Sequence, residues 1–325
     1  MNYIQQVYKG KNEWYHWLIT IFLVLIGWQL LGVIPLTAVV FAKAENITEF
    51  ISYAESNFAS AGIDKNFLLF LLLFMFVVGL VFLFIGIKYI HKRSITSLIT
   101  SREKIDWNRF FFAFFLWGAI AVAITFIGIS LAPENYIWNF NAKPFFILVA
   151  ISFIFIPLQT SFEELLFRGY FLQGLGALVK NRWFPLLITS LIFGLLHGAN
   201  PEVAKLGQIT MVFYIGTGLL YGITTLMDEG TEIALGLHAV NNITAAFLVT
   251  TDWTVFQTDA LYRDTSEPSV TWEMFLPVFV LYPLMLWLFS EKYGWTNWKE
   301  KLTGKIEVPA NFNENYKTLD NIGEA

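Results

Sequence analysis

Residues 144–179 read PFFILVAISFIFIPLQTSFEELLFRGYFLQGLGALV, an apolar run whose only charges are Glu163, Glu164 and Arg168. A bilayer core is crossed by about 20 apolar residues in a helix, so this run is long enough to span one. On insertion scales each charge at the centre of a bilayer costs roughly 2.5–3.5 kcal/mol. Three charges so close together in such a run need a task.

Working outward, the same apolar texture recurs at residues 17–40, 67–87 and 110–131 before the run, and at 183–197, 209–227, 232–250 and 274–290 after it. With 56% hydrophobic residues, 14% charged and 33 Phe in 325 positions, the chain carries more apolar surface than a soluble domain of this length hides. The expected fold class is therefore all-α, a polytopic integral membrane protein with about eight transmembrane helices. Residues 17–40 are too long for a signal-peptide core and lack a small-residue cleavage site, so they are read as the first span. The net charge of -4, with no basic cluster interleaved with aromatics and no glycine-rich phosphate loop, argues against a nucleic-acid partner. Zero cysteines exclude disulfides, thiolate metal ligands and a cysteine nucleophile.

Orientation follows from the connectors. Residues 45–66 are acidic, whereas residues 88–109 hold Lys88, Lys92, Arg93, Arg102, Lys104 and Arg109. The positive-inside rule places the basic connector in the cytoplasm. Alternation from there puts 15 of the 21 Lys and Arg inside and five outside, with both termini cytoplasmic, in what is expected to be a bacterial plasma membrane. The chain divides into residues 1–143 (three helices and the basic connector), 144–250 (the core carrying the polar motifs), 251–290 (an outer loop and the last helix) and 291–325. This last part is polar, contains Pro309 and is expected to be a loosely ordered tail. Pro157 is expected to bend the central run. The depths conflict: His238 follows the turn at 228–231 closely, whereas Glu163 lies far before Lys180, so one span should be half-length, re-entrant or tilted.

Two of the four histidines, His197 and His238, lie in apolar runs. On a helix, residues four apart share a face. Phe193 thus neighbours His197, Asn242 neighbours His238, and Arg168 sits one turn after Glu164, where an ion pair lowers the cost of burying both. Glu163 points about 100° away from Glu164 and is left free, placed to act as a general base. Taken singly each residue has a plainer reading: a structural ion pair for Glu164 and Arg168, interior hydrogen-bonded histidines, and Asn241 and Asn242 bonding between helices. Their joint occurrence points to a hydrolytic site.

Glu-Glu-x-x-x-Arg at 163–168, Phe-x-x-x-His at 193–197 and His-x-x-x-Asn at 238–242, in this order, resemble the signature of the CPBP intramembrane proteases, which include CAAX prenyl endopeptidases and bacterial abortive-infection and bacteriocin-processing proteins. The resemblance covers residues 144–250. It implies peptide-bond hydrolysis within the membrane, with Glu163 and His197 activating water and His238 and Asn242 holding the oxyanion. Glu164, Arg168 and Phe193 would be supporting residues. The implied partner is a membrane-associated peptide or protein, lipidated in the eukaryotic relatives.

The family has been described both with and without a metal. Glu163, His197 and His238 are the available zinc ligands, but Asn242 is a poor one and no His-Glu-x-x-His helix exists, so the residues lean towards needing no cofactor, with zinc as the alternative. The rival classes are an ion- or proton-coupled transporter, for which no inverted repeat is visible, and a non-catalytic immunity or scaffold protein.

Overall fold

The computed structural model describes residues 1–309. Its helices fall where the apolar runs do: α1 (Trp14–Lys43), α2 (Lys65–Ile90), α3 (Trp107–Leu131), α4 (Ala142–Val179), α5 (Trp183–Leu196), α6 (Gln208–Asp228), α7 (Glu232–Phe247) and α8 (Trp272–Tyr293). The chain is an all-α integral membrane protein. The approximate count of eight resolves into six helices long and apolar enough to cross a bilayer and two shorter ones, α5 and α7. At 1.5 Å per residue the 14 residues of α5 and the 16 of α7 reach about 21 and 24 Å, less than a hydrocarbon core of about 30 Å. His238 lies on α7, and His197 caps the C-terminal end of α5.

A helix shorter than the bilayer is tolerated when protein surrounds it. Burial along almost all of α7 meets that condition. It packs on α3, α4 and α6. Two glycines set the closeness of α3 and α7: a Cβ on Gly236 would lie 2.3 Å from the Phe110 carbonyl oxygen, and one on Gly118 would lie 2.7 Å from Val240 Cγ2. Small residues at such crossings let backbones approach, which is how helices gain packing energy in lipid. Outward-facing Phe22, Phe115, Phe146, Phe153 and Phe279 are exposed, as a hydrocarbon solvent permits. Exposed Trp14, Trp107 and Trp183 open α1, α3 and α5 on one side, the pattern of an interfacial aromatic belt.

On that side the basic connector is folded under the α6–α7 turn. Thr231 N–H donates to the Ile99 carbonyl at 2.8 Å, and Arg102 and Arg109 each reach Asp228 Oδ2 at 2.8 Å. On the opposite side a small sheet joins β1 (Tyr136–Trp138), β2 (Val249–Thr250) and β3 (Tyr262–Asp264) in the order β1-β3-β2, antiparallel between β1 and β3 and parallel between β2 and β3.

The helix is continuous through Pro157, and a π-helical stretch at Leu165–Phe171 that contains Arg168 follows. Two expectations are revised. The tail from residue 291 is ordered as far as it is described: a short helix, α9 (Trp298–Thr303), follows α8, Trp295 Nε1–H donates to Asp228 Oδ1 at 3.1 Å, and Ile306 is buried with its N–H on the Lys180 carbonyl at 3.0 Å. Two apolar anchors in a polar stretch suffice for this docking; residues 310–325 lie outside the described residues. The depth conflict also resolves. With 38 residues α4 would be about 57 Å long, but Gln173 accepts from Arg93 Nη1 at 2.8 Å and donates to the Ser97 carbonyl at 2.9 Å, so the end of α4 lies in the connector layer. From Gln173 back to Glu164 is about 13 Å, and from Thr231 on to His238 about 10 Å, so the two motifs lie at similar depth.

Candidate active site

The two adjacent glutamates of α4 face different surroundings. Glu164 and Arg168 have fully buried side chains, and Arg168 Nη1–H donates to Glu164 Oε1 at 3.1 Å. Arg168 Nη2–H donates to the Gly218 carbonyl of α6 at 2.9 Å, and the guanidinium lies 4.2 Å from the centre of the Phe193 ring. An aromatic face offers a buried cation a second, weaker counterpart to the carboxylate. Gly218 sits at the α5–α6 crossing, where a Cβ would meet the Ser190 carbonyl oxygen at 2.8 Å. Close backbone contact at that crossing accompanies the carbonyl's bond to Arg168.

Glu164 Oε1 also receives Nδ1–H of His238 at 2.8 Å. A carboxylate accepts only, which makes Nδ1 the donor. The other ring nitrogen, Nε2, lies 3.6 Å from Glu163 Oε2 and 3.4 Å from Asn242 Nδ2. Asn242 Nδ2–H donates to Gln159 Oε1 at 3.5 Å. The imidazole is held between two rings, stacked on Tyr221 at 5.0 Å and edge-on to Phe193 at 5.9 Å. Unlike Glu164, Glu163 keeps a side chain 16% exposed and is the carboxylate that can meet a reactant.

His197 stands at the C-terminal end of α5. Its backbone N–H bonds Gly194 in a tightened last turn, and its ring Nδ1–H donates to the Phe193 carbonyl at 2.7 Å, satisfying a helix-end acceptor. The ring is stacked on Tyr214 at 4.5 Å and lies 4.8 Å from the Phe193 ring. Tyr214 hydroxyl in turn bonds Glu202, and Asn200 Nδ2–H donates to it at 3.2 Å. Glu163, Glu164, Arg168, Phe193, His238 and Asn242 thus form one contiguous cluster, and His197 joins it through Phe193. Among the described residues no hydrogen bond links Glu163 directly to His197.

Among the described residues no group of three or more His, Asp or Glu side chains is gathered so as to hold an ion. His238 Nδ1 is occupied by Glu164 and His197 Nδ1 by a carbonyl. Both engagements are on Nδ1 and leave Nε2 of each ring open, so Glu163, His197 and His238 are the side chains that would hold a zinc ion, although they are not gathered round one point here.

Several site residues were not anticipated. Gln159 is one turn before Glu163, a spacing that could have identified it. Trp117, Tyr214 and Tyr221 come from other helices and carry no local signal. Asn241, read as a helix-bridging amide, bonds Trp117 Nε1 of α3 at 3.3 Å.

Fold and site together define a polytopic helical membrane protein that buries acids, histidines and an amide at one depth between its helices. The chain belongs to the Rce1-like family of type II CAAX prenyl endopeptidases, a protease family whose sequence pattern matches residues 141–244, the segment carrying Glu163 through Asn242. It is similar to the uncharacterized protein YyaK of Bacillus subtilis (strain 168), 30% identical over 282 residues that make up 86% of this chain and 93% of that protein. No solved structure matches it.

Proposed function

We propose that the protein is an intramembrane endopeptidase that hydrolyses a peptide bond near the C-terminus of a lipid-anchored peptide, using Glu163 as general base. The observation that carries this reading is His238 between two carboxylates, with Nδ1 2.8 Å from Glu164 Oε1 and Nε2 3.6 Å from Glu163 Oε2. A ring carrying a proton on each nitrogen would donate to Glu164 and stand within ion-pair range of Glu163. It also makes the group of Glu163, Glu164, Arg168 and His238 neutral overall, which suits a low-dielectric interior.

In that state Nε2–H of His238 and Nδ2–H of Asn242, 3.4 Å apart, are two donors side by side. They can hold the oxygen of a scissile carbonyl as it gains charge. A water beside Glu163 gives its proton to the carboxylate while its oxygen adds to the carbonyl carbon. His197, with Nδ1–H spent on a carbonyl, offers its Nε2 lone pair as a second acceptor for that water. Collapse of the tetrahedral intermediate breaks the C–N bond, and the proton on Glu163 passes to the leaving amine. Glu164 and Arg168 hold the ring of His238, and Phe193 fills the space between the imidazoles. No metal is needed for these steps.

The family supports a prenylated C-terminal tetrapeptide as the substrate class. Site depth supports it too: about 10–13 Å from the connector layer is within reach of a short peptide tethered by a lipid. The bias of Lys and Arg supports that layer, and both termini, lying in the cytoplasm, and the similarity to the Bacillus subtilis protein supports a bacterial plasma membrane.

The test is cleavage of a panel of prenylated and unprenylated peptides by the purified protein in detergent, followed by mass spectrometry. Asn242→Ala is expected to lower kcat by about 10²–10³-fold, the range for losing one oxyanion donor. A strong chelator is expected to leave turnover unchanged; loss restored by added zinc would overturn the metal-free reading.

A further inference from the structure

We infer that Trp117 of α3, outside the family-matched segment, is a positioning residue that fixes which way the Asn242 carboxamide faces. The inference rests on the reading of Asn242 as an oxyanion donor. A side-chain amide has nearly the same shape with its oxygen and nitrogen exchanged, so packing alone does not tell the two orientations apart. In one, Asn242 offers N–H to the reaction centre. In the other it offers a carbonyl oxygen, which repels an oxyanion.

The orientation is decided by a chain of bonds that begins at a group with no choice. An indole N–H is a donor only. Trp117 Nε1–H donates to Asn241 Oδ1 at 3.3 Å, which turns Asn241 Nδ2–H towards Asn242 Oδ1 at 3.2 Å. With its oxygen engaged there, Asn242 directs Nδ2 to Gln159 Oε1 at 3.5 Å and to the edge of His238 at 3.4 Å. Reversing any one amide would set oxygen against oxygen or N–H against N–H at its amide neighbours; for Asn242 that is two such clashes, with Asn241 and Gln159, against the single Nε2–H of His238 that would favour its oxygen.

The indole itself is held firmly. Trp117 is 7% exposed, its ring is 5.9 Å from that of Tyr282, and the neighbouring Gly118 lies against Val240 where α3 and α7 cross. Asn241 and Asn242 are on α7 and Gln159 is on α4, so the chain joins three helices across the site.

Trp117→Phe keeps an aromatic ring and removes only the donor. It is expected to lower kcat about tenfold, the scale of one hydrogen bond, with KM unchanged. In an Asn242→Ala background the same substitution is expected to have no further effect, because both act through one amide. Independently of turnover, Asn241→Leu is expected to shift the Trp117 indole resonance in a ¹⁵N-tryptophan spectrum and to speed its exchange with solvent. Trp117→Phe and Asn242→Ala losses that multiply, or an indole resonance indifferent to Asn241→Leu, would overturn the inference. Full turnover in Asn242→Ala would instead remove the oxyanion role of Asn242, leaving the bond series to be judged by the indole resonance.

Discussion

Glu163→Gln is expected to lower peptide hydrolysis by about 10²–10⁴-fold, the usual contribution of a positioned general base, while the protein unfolds at the same temperature as the wild type. The substitution keeps the volume of the side chain and an oxygen able to accept a hydrogen bond; it removes the ability to take a proton. Stability should change little because Glu163 is partly exposed, so solvent screens the charge its loss leaves on the cluster, and His238 at 3.6 Å is beyond a direct hydrogen bond. Turnover and a detergent melting curve on one preparation check both halves. A fully active Glu163→Gln protein would remove the proposed base.

Arg168→Met is expected to cost about 3–5 kcal/mol in stability, because it leaves the buried Glu164 carboxylate without its arginine. Glu164 is inaccessible on all sides, and its Oε1 already serves both Arg168 and His238. The pair is also incompletely satisfied, since among the described residues Glu164 Oε2 and Arg168 Nε make no hydrogen bond. An ion pair of this kind gains little over a neutral replacement of the same volume. Glu164→Gln/Arg168→Met should therefore recover most of the lost stability, as Gln retains an acceptor for His238 Nδ1–H. It should not recover turnover, because a neutral amide holds the His238 ring in place less strongly than the carboxylate that now accepts from Nδ1–H. Equilibrium unfolding in detergent distinguishes the single from the double variant; equal destabilisation by both would show that packing, not charge, dominates there.

The contrast between the glutamates explains how much of the site could be read from the chain. Glu164 and Arg168 are four apart on one helix, and so are Phe193 and His197, and His238 and Asn242; each pair is found close together in the structure for the reason the helical period gives. Contacts between helices were legible only as the convergence of motifs. Nothing local says that Glu164, and not Glu163, takes His238 Nδ1, since that depends on how α7 is rotated against α4. The spans were legible where twenty or so apolar residues follow one another. They were ambiguous for α5 and α7, whose short length makes sense only once α3, α4 and α6 surround α7. The tail misled because its polarity hides Trp295 and Ile306, and a single buried indole with a carboxylate partner is enough to dock a segment.

The central claim is that Glu163, His238 and Asn242 cut a peptide bond inside the membrane. It is met most directly by comparing new protein termini, by mass spectrometry, in cell membranes containing the wild-type protein and in membranes containing equal amounts of folded Glu163→Gln. The expected result is a set of new C-termini, close to a lipid-modified residue, that occurs with the wild type and vanishes with the variant. Identical termini in the two membranes would contradict it.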